Sequence, residues 1–311
     1  MSAGIDIIMA TMNGRQYLKE QLESLLGQSF TDFRLLVRDD ASSDGTAELL
    51  NMYAALYPDK IKLVGDGTAS GAAKNNFFLL LKETDAEYVM FCDQDDVWEK
   101  EKVEKAYHFI RQKEKKAGHD RPLLCHGDPK VADEKLNVTG GSMFEMQKLD
   151  GRKRKFRDYL VQNNVTGCTM IINRRLADMC CEMPEGAIMH DWWLALIASA
   201  FGRVCFMGSV PMLYRQHPNN TEGVKNLKSP FYVMKKMFDR KSAKNALKLT
   251  YRQAESFDEV FGDRLAAREK EVLAAFRSLE KKNKFARLFT MIKYKFRKSG
   301  GSRELGYIFY C

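Results

Sequence analysis

Three carboxylates fall within four positions, Asp93, Asp95 and Asp96, in the stretch FCDQDDVW at 91–98. They follow a short apolar run, Tyr88 to Cys92, and precede the aromatic Trp98. Like charges this close raise the cost of ionising one another. A bound divalent cation is the simplest relief. The other reading is a solvated acidic loop in which one Asp caps the following helix. These residues alone leave both open. Two more polar clusters have chemical content. RDDASSDGT holds Asp39, Asp40 and Asp44 in a Ser- and Gly-rich turn. Its carboxylates can accept hydrogen bonds from a nucleobase imide or ribose hydroxyls, or can form an Asx-turn and a helix cap. GTASGAAKNNF offers backbone N–H groups and Lys74 near a helix start, which suits phosphate. A plain connecting loop is its alternative.

The elements around these clusters alternate. Ile5–Met9 reads as a strand, followed by ATMNG and a helix carrying Tyr17, Leu18, Gln21, Leu22, Leu25 and Leu26 at helical spacing. Phe33–Val37 is a second strand, and 47–57 a helix stopped by Pro58. Ile61–Val64 is a third strand, 76–82 a helix, Tyr88–Cys92 a fourth strand and 99–116 a helix. This alternation predicts an α/β layer with a mostly parallel sheet. Ligands of such sheets bind beyond the carboxyl ends of the strands, where all four polar loops fall. One site in space is therefore expected from loops scattered in sequence, and this favours the metal reading of the Asp cluster. Further strands are expected at 123–128, 168–173, 204–207 and 212–215, and a helical tail from about 231 to 296.

Composition bounds the class. The chain has 311 residues, 45% hydrophobic and 29% charged, as an ordinary globular protein does. It holds no apolar run long enough to span a bilayer. No secretory signal is read at the N-terminus. Seven scattered Cys form no CxxC pair, so reduced thiols in a cytoplasmic protein are expected. Residues 225–311 carry 22 Lys and Arg against 9 Asp and Glu, a net +13, leaving −4 for residues 1–224. The asymmetry marks a boundary near 225 between a body, 1–224, and a basic helical extension, 225–311.

Seven blocks in order, from residue 5 to about 220, resemble the family 2 glycosyltransferases of the GT-A fold. They are IDIIMATMNG, LLVRDDASSDGT, KNNF, FCDQDDVW, NNVTGCTMIINR, HDWW and YRQHPNN. DQDDVW and HDWW in this form are similar to the rhamnosyltransferase-like subgroup of bacterial polysaccharide synthesis. One departure is Met12, where relatives usually carry Tyr; it is expected to adjust packing near the nucleotide. The resemblance implies that Thr11, Asn13, Asp40 and Asp39 hold the nucleoside, with Lys74 on the nucleotide side. It makes Asp93 and Asp95 the DxD pair, with Asp95 the direct ligand of Mg²⁺ or Mn²⁺, a hard cation suited to carboxylate and phosphate oxygens. His217 is either a late metal or diphosphate ligand or a structural hydrogen-bonder. Asp191 matches the catalytic base, which takes the acceptor hydroxyl's proton in an inverting transfer. It also suits a helix start before WWLALIASAF.

Adjacent aromatics on a helix cannot face the same way. One of Trp192 and Trp193 is core, and Trp192 is the candidate to stack on an acceptor sugar. Thr166, Gly167 and Trp98 are expected to shape the pocket. The implied reaction moves a sugar from a nucleotide donor, first dTDP-L-rhamnose, alternatively a UDP-hexose, to a saccharide or lipid-linked saccharide. The basic tail, with its interleaved apolar residues, suits either peripheral contact with an anionic inner membrane face or packing within the protein or a homodimer. No nucleic-acid motif accompanies its charge. A nucleotidyltransferase would want a Gly-rich basic signature after the first strand, which ATMNGRQYL lacks. A non-catalytic scaffold would not need Asp95 and Asp191 together.

Overall fold

The computed structural model describes residues 4–218, 220 and 240–310. Its centre is a nine-stranded mixed sheet. The strands are β1 (Ile5–Thr11), β2 (Phe33–Asp39), β3 (Ile61–Leu63), β4 (Tyr88–Cys92), β5 (Val97–Trp98), β6 (Leu123–Ala132), β7 (Val138–Gly140), β8 (Ile171–Asn173) and β9 (Arg203–Arg215). Their order is β3-β2-β1-β4-β8-β6-β9-β5, with β7 beside β6. Strands β1 to β4 pair in parallel. Strand β8 runs antiparallel to both β4 and β6, so the parallel β6–β9 pair keeps the direction of the first four.

The twofold alternation of strands sorts the core. Ile5, Ile7 and Met9 of β1 are fully buried on one face with Leu18, Leu22 and Leu25 of α1 (Arg15–Leu26) and Val103, Ala106 and Ile110 of α4 (Lys102–Ala117). Ile8, Leu36 and Phe91 face the other layer, which includes α3 (Ala73–Lys82), α6 (Phe156–Val161) and α8 (His190–Phe201). Helices α2 (Thr46–Leu56), α5 (Met143–Met146) and α7 (Arg174–Met179) complete the part before residue 220.

Two expected elements differ. The two short strands at 204–207 and 212–215 are one 13-residue strand, β9, with Gly208 at φ +80° between them. The backbone turns there without ending the strand, and its register against β6 shifts at two places. The strand expected at 168–173 begins as a single 3-10 turn, Gly167–Thr169, and only Ile171–Asn173 pairs.

The C-terminal residues form α9 (Arg240–Phe261), α10 (Ala267–Ser278), α11 (Lys284–Tyr294) and α12 (Gly301–Tyr310). Their apolar faces join the core layer of α8. Phe257 meets the Trp193 ring edge-on at 5.4 Å between centroids, and Phe261 stands 6.1 Å away. The boundary read near 225, and the part of the helical tail read at 231–239, lie outside the described residues. Among the described residues no helix is long and apolar enough to cross a membrane.

Candidate active site

The loops at the carboxyl ends of β1, β2 and β4 converge with the start of α8 and the end of β9 on one cavity of about 610 Å³. Thr11, Asn13, Asp40, Asp93, Asp95, Thr166, Gly167, Asp191 and His217 all line it. Nine residues expected at a site, drawn from six segments, thus meet in one place.

The loops are fixed to one another. Gln94 clamps the β1 loop: the Met12 N–H donates to its Oε1 at 2.8 Å, and its Nε2 donates to the Met12 carbonyl at 3.0 Å. A Cβ at Gly14 would lie 2.2 Å from Gln94 Oε1, so glycine is what lets the two loops close. Asn13, at φ +49°, accepts the Ser43 N–H on its Oδ1 at 2.9 Å. Asp39 faces inward to its own loop, accepting from the Thr11 hydroxyl at 2.7 Å and from the Ser42 hydroxyl at 2.6 Å. Asp40 is buried and pairs with Arg38 at 3.0 Å, and it accepts from the Ser70 backbone at 2.5 Å. Asp44 forms an Asx-turn just before α2, its Oδ1 accepting from the Thr46 N–H at 3.0 Å and hydroxyl at 2.6 Å, in line with the Asx-turn reading of that loop.

The acidic cluster divides into an outer and an inner part. In the outer part, His217 Nε2 lies 2.8 Å from Asp95 Oδ2, and Asn220 Nδ2 donates to the same oxygen at 3.3 Å. Arg215, buried beneath, donates to the Asp95 carbonyl at 2.7 Å and to the Glu134 carbonyl at 2.7 Å. In the inner part, oxygens of Asp93 and Asp96 and the Cys168 sulfur gather within 4.8 Å. Burial, then the Asp95 charge, pushes the Asp93 carboxyl up to about 7, and the same two causes push Asp96 well above the carboxylate range. Burial pushes the Cys168 thiol well above its ordinary value, and the thiol hydrogen-bonds to Asp96. Behind the trio lies Lys102, fully buried, its ammonium 3.1 Å from the Trp98 ring centroid and donating to the Cys168 carbonyl at 2.7 Å. Burial lowers it to about 8. The repulsion that raises Asp93 would be relieved by a bound cation, and the outward oxygens of Asp93 and Asp95 with the His217 imidazole form a donor set that fits a Mg²⁺- or Mn²⁺-type ion.

Asp191 sits in the first turn of α8, and its Oδ1 accepts the Trp192 N–H at 2.6 Å. Beside it His190 is buried against Phe77 and Phe91, with ring centroids 4.1 and 5.5 Å away. Burial lowers that imidazole to about 3, so it is neutral, and neither ring nitrogen bonds a described residue. Its Nε2 would meet a Cβ on Gly167 at 2.9 Å. Glycine there leaves the imidazole its place on the cavity floor.

Three expected residues do not line this cavity besides Asp39. Lys74 is turned away, its Nζ donating to the carbonyls of Glu185 at 2.9 Å and Ala187 at 2.5 Å. Trp98 is 2% exposed and packs under Lys102. Trp192 lines a second, adjoining cavity, with its Nε1 donating to the Tyr159 carbonyl at 2.6 Å, while Trp193 is core. Sequence reasoning missed Gln94, Tyr17, His190, Tyr214 and Asn220 as wall residues. Each lies in or beside a block already singled out, except Tyr17, whose helical spacing marks it as core.

Residues 6–179 match the model for glycosyl transferase family 2. The chain is 28% identical over 236 residues to a dTDP-rhamnosyl transferase, RfbG, of Shigella flexneri, covering 69% of this chain and 73% of that protein. It is 26% identical over 202 residues to a putative teichuronic acid biosynthesis glycosyltransferase, TuaG, of Bacillus subtilis, covering 63% and 73%. Among solved structures, Staphylococcus aureus TarS with UDP-GlcNAc superposes with a TM-score of 0.53 at 19% identity, over 98% of this chain and 89% of that one. A Pyrobaculum calidifontis mannosyltransferase with GDP-Man and Mn²⁺ gives 0.53 at 16%, over 97% and 78%. Fold and family match together define a GT-A glycosyltransferase. The chain belongs to glycosyl transferase family 2.

Proposed function

We propose that the chain is an inverting, metal-dependent glycosyltransferase of surface polysaccharide synthesis, with dTDP-L-rhamnose as first-choice donor and a UDP-hexose as the alternative. The observation that carries the reading is that Asp191 lines both adjoining cavities and shares the first with Asp93, Asp95 and His217. A base between donor and acceptor spaces is what single-displacement transfer needs. Thr11, Asn13 and Asp40 hold the nucleoside; Asp39 orders that loop. Asp93, Asp95 and His217 hold Mg²⁺ or Mn²⁺, which when bound supplies charge for the diphosphate leaving group. Asp191 takes the acceptor hydroxyl's proton, and Thr166 and Gly167 floor the pocket between. The donor rests on the RfbG likeness, the polysaccharide role on RfbG and TuaG together.

The acceptor is lipid-linked, and the enzyme works at the inner membrane face. Support comes from α11 and α12. Phe285, Leu288, Phe289 and Ile292 follow helical spacing on α11 and are exposed, Phe285 by 88%. Leu305, Ile308 and Phe309 are exposed on α12, and Lys284 lies 5.3 Å from the Phe309 ring, so the two stripes adjoin. Exposed Lys281, Lys293 and Lys295 flank them. Apolar residues rimmed by lysines suit an anionic bilayer.

Asp191→Asn tests the reading. It keeps size and hydrogen bonding but removes the base. Calorimetric binding of dTDP-rhamnose or a UDP-hexose with Mn²⁺ should persist while transfer falls by about 10²-fold or more, the scale of general-base catalysis. Transfer that survives would remove Asp191 from this role.

A further inference from the structure

Tyr17 lies in the first turn of α1 and is buried, with 8% of its surface exposed. Helical spacing would put such a ring in the core. Among the described residues it packs with neither apolar layer beside the sheet. Its neighbours belong to the first cavity, whose wall it joins. The Tyr17 ring packs on the His217 imidazole, with centroids 4.5 Å apart and planes 32° apart. The Arg215 guanidinium lies over the same ring, 4.7 Å from its centroid. The Tyr17 hydroxyl donates to Glu134 Oε1 at 2.6 Å, and Gln16 Nε2 donates to that oxygen at 3.0 Å.

The neighbours of the ring are themselves fixed. Arg215 donates to the Glu134 carbonyl at 2.7 Å and to the Asp95 carbonyl at 2.7 Å, and it pairs with Glu20 of α1. The Arg215 N–H donates to Asp96 Oδ1 at 3.2 Å. Tyr17 thus joins α1 to the loop after β6, in a network that reaches the acidic cluster. Burial, then the bond to Glu134, pushes the phenol up to about 12. The hydroxyl stays a neutral donor and does not compete for a cation as a phenolate. What Tyr17 offers His217 is a seat for its ring. His217 stands two residues past the end of β9, and an imidazole turns about two side-chain bonds. Asp95 at its Nε2 and Tyr17 against its ring both act on that direction. Aromatic rings at this separation favour particular relative orientations.

We propose that Tyr17 is a positioning residue for the His217 imidazole, holding its Nε2 toward Asp95 Oδ2 so that both groups serve one divalent cation. This rests on the reading of His217 as a ligand. A ligand poised only part of the time binds metal more weakly by that fraction. Tyr17 therefore raises metal affinity without touching the metal. The ring carries the effect, and the bond to Glu134 seats the ring.

The test titrates Mn²⁺ into the full chain, without nucleotide, and reads free Mn²⁺ by electron paramagnetic resonance. The proteins are the wild type, Tyr17→Leu, Tyr17→Phe, His217→Ala and the Tyr17→Leu/His217→Ala double variant. Tyr17→Leu should weaken binding about tenfold, the low end of the loss when a ligand's support is removed. Tyr17→Phe keeps the ring and should stay within about twofold of the wild type. In the His217→Ala background Tyr17→Leu should cost nothing further, because it acts through the imidazole. Nitrogen modulation in the electron spin echo of bound Mn²⁺ gives a second readout. It should be present in the wild type and Tyr17→Phe, diminished in Tyr17→Leu and absent without His217. Wild-type affinity and modulation in folded Tyr17→Leu would overturn the proposal while the ligand reading stands. Equal losses from Tyr17→Leu with and without His217 would overturn it too, since Tyr17 would then act on its own. An unchanged His217→Ala protein would instead remove the ligand reading and this proposal with it. Thermal unfolding in EDTA checks that each variant is folded, and Tyr17→Met takes the place of Tyr17→Leu in the same cycle if the latter does not fold.

Discussion

His217 Nε2 and Asp95 Oδ2 stand 2.8 Å apart across 122 positions of chain, which ties the end of β9 to the loop after β4. The contact has two chemical meanings. The imidazole orients the carboxylate, and both groups can donate to one cation. Replacing His217 by Ala removes the proposed ligand and the orienting bond together. Mn²⁺ affinity is expected to fall by about 10–100-fold, the usual loss when a ligand or its supporting partner is removed. Titration of Mn²⁺ by electron paramagnetic resonance would read it. An unchanged affinity would leave His217 a structural hydrogen-bonder, the other reading of the sequence.

Metal affinity should also depend on pH, with a sign fixed by Asp93. Burial and the neighbouring Asp95 raise its folded-state value to about 7, above the ordinary carboxylate range. The folded, metal-free protein therefore binds a proton there that the unfolded chain has already lost. Stability from this group is greatest at low pH and is lost as pH rises through about 7. A bound cation must displace that proton. Apparent Mn²⁺ affinity is then expected to weaken about tenfold per unit as pH falls below about 7, and to level off above it. Calorimetry in two buffers of different ionisation enthalpy would count the proton released. No proton release at pH 6 would contradict the assignment.

The apolar stripe on α11 and α12 predicts binding to anionic vesicles. Phe285 and Phe289 are its most exposed members on α11, 88% and 70%. They support no core packing, so Phe285→Ser with Phe289→Ser should leave thermal stability nearly unchanged. Co-sedimentation with vesicles of phosphatidylcholine and phosphatidylglycerol should be strong for the wild type, weaker at high salt, and largely lost in the double variant. Retention of binding by the variant would place any membrane contact elsewhere.

What the sequence made legible follows from what its local signals encode. Strand β4 was readable to the residue because all five of its positions are buried and the next residue is Asp93. Convergence of the loops was readable because parallel strands put their carboxyl ends together. Long-range side-chain partners were not. Gln94 lies 82 positions from the backbone it clamps, and no periodicity marks it. Lys102 falls in the first part of the helix read at 99–116, where nothing local marks it for burial. It is buried because the loop at Cys168 closes over it, 66 positions away. Lys74 has the residue type for phosphate, but the carbonyls of Glu185 and Ala187 claim it from 111 and 113 positions on. Helical geometry forces the rings of Trp192 and Trp193 apart, and the structure buries Trp193 while Trp192 lines the second cavity.

That pair gives the last prediction. Trp193 is fully buried on α8, and it faces Phe257 and Phe261 of α9. The helix that begins with Asp191 is thus backed by the C-terminal segment. Trp193→Ala would open a cavity at this joint and should cost about 3–5 kcal/mol, as truncation of a buried aromatic does. Phe257→Ala should cost a similar amount, about 3–5 kcal/mol. Because the two rings touch, the double variant should lose less than the sum. Urea denaturation of the four proteins closes that cycle. Strict additivity would mean that α9 does not depend on Trp193 for its seat, and that the start of α8 is positioned by the sheet alone.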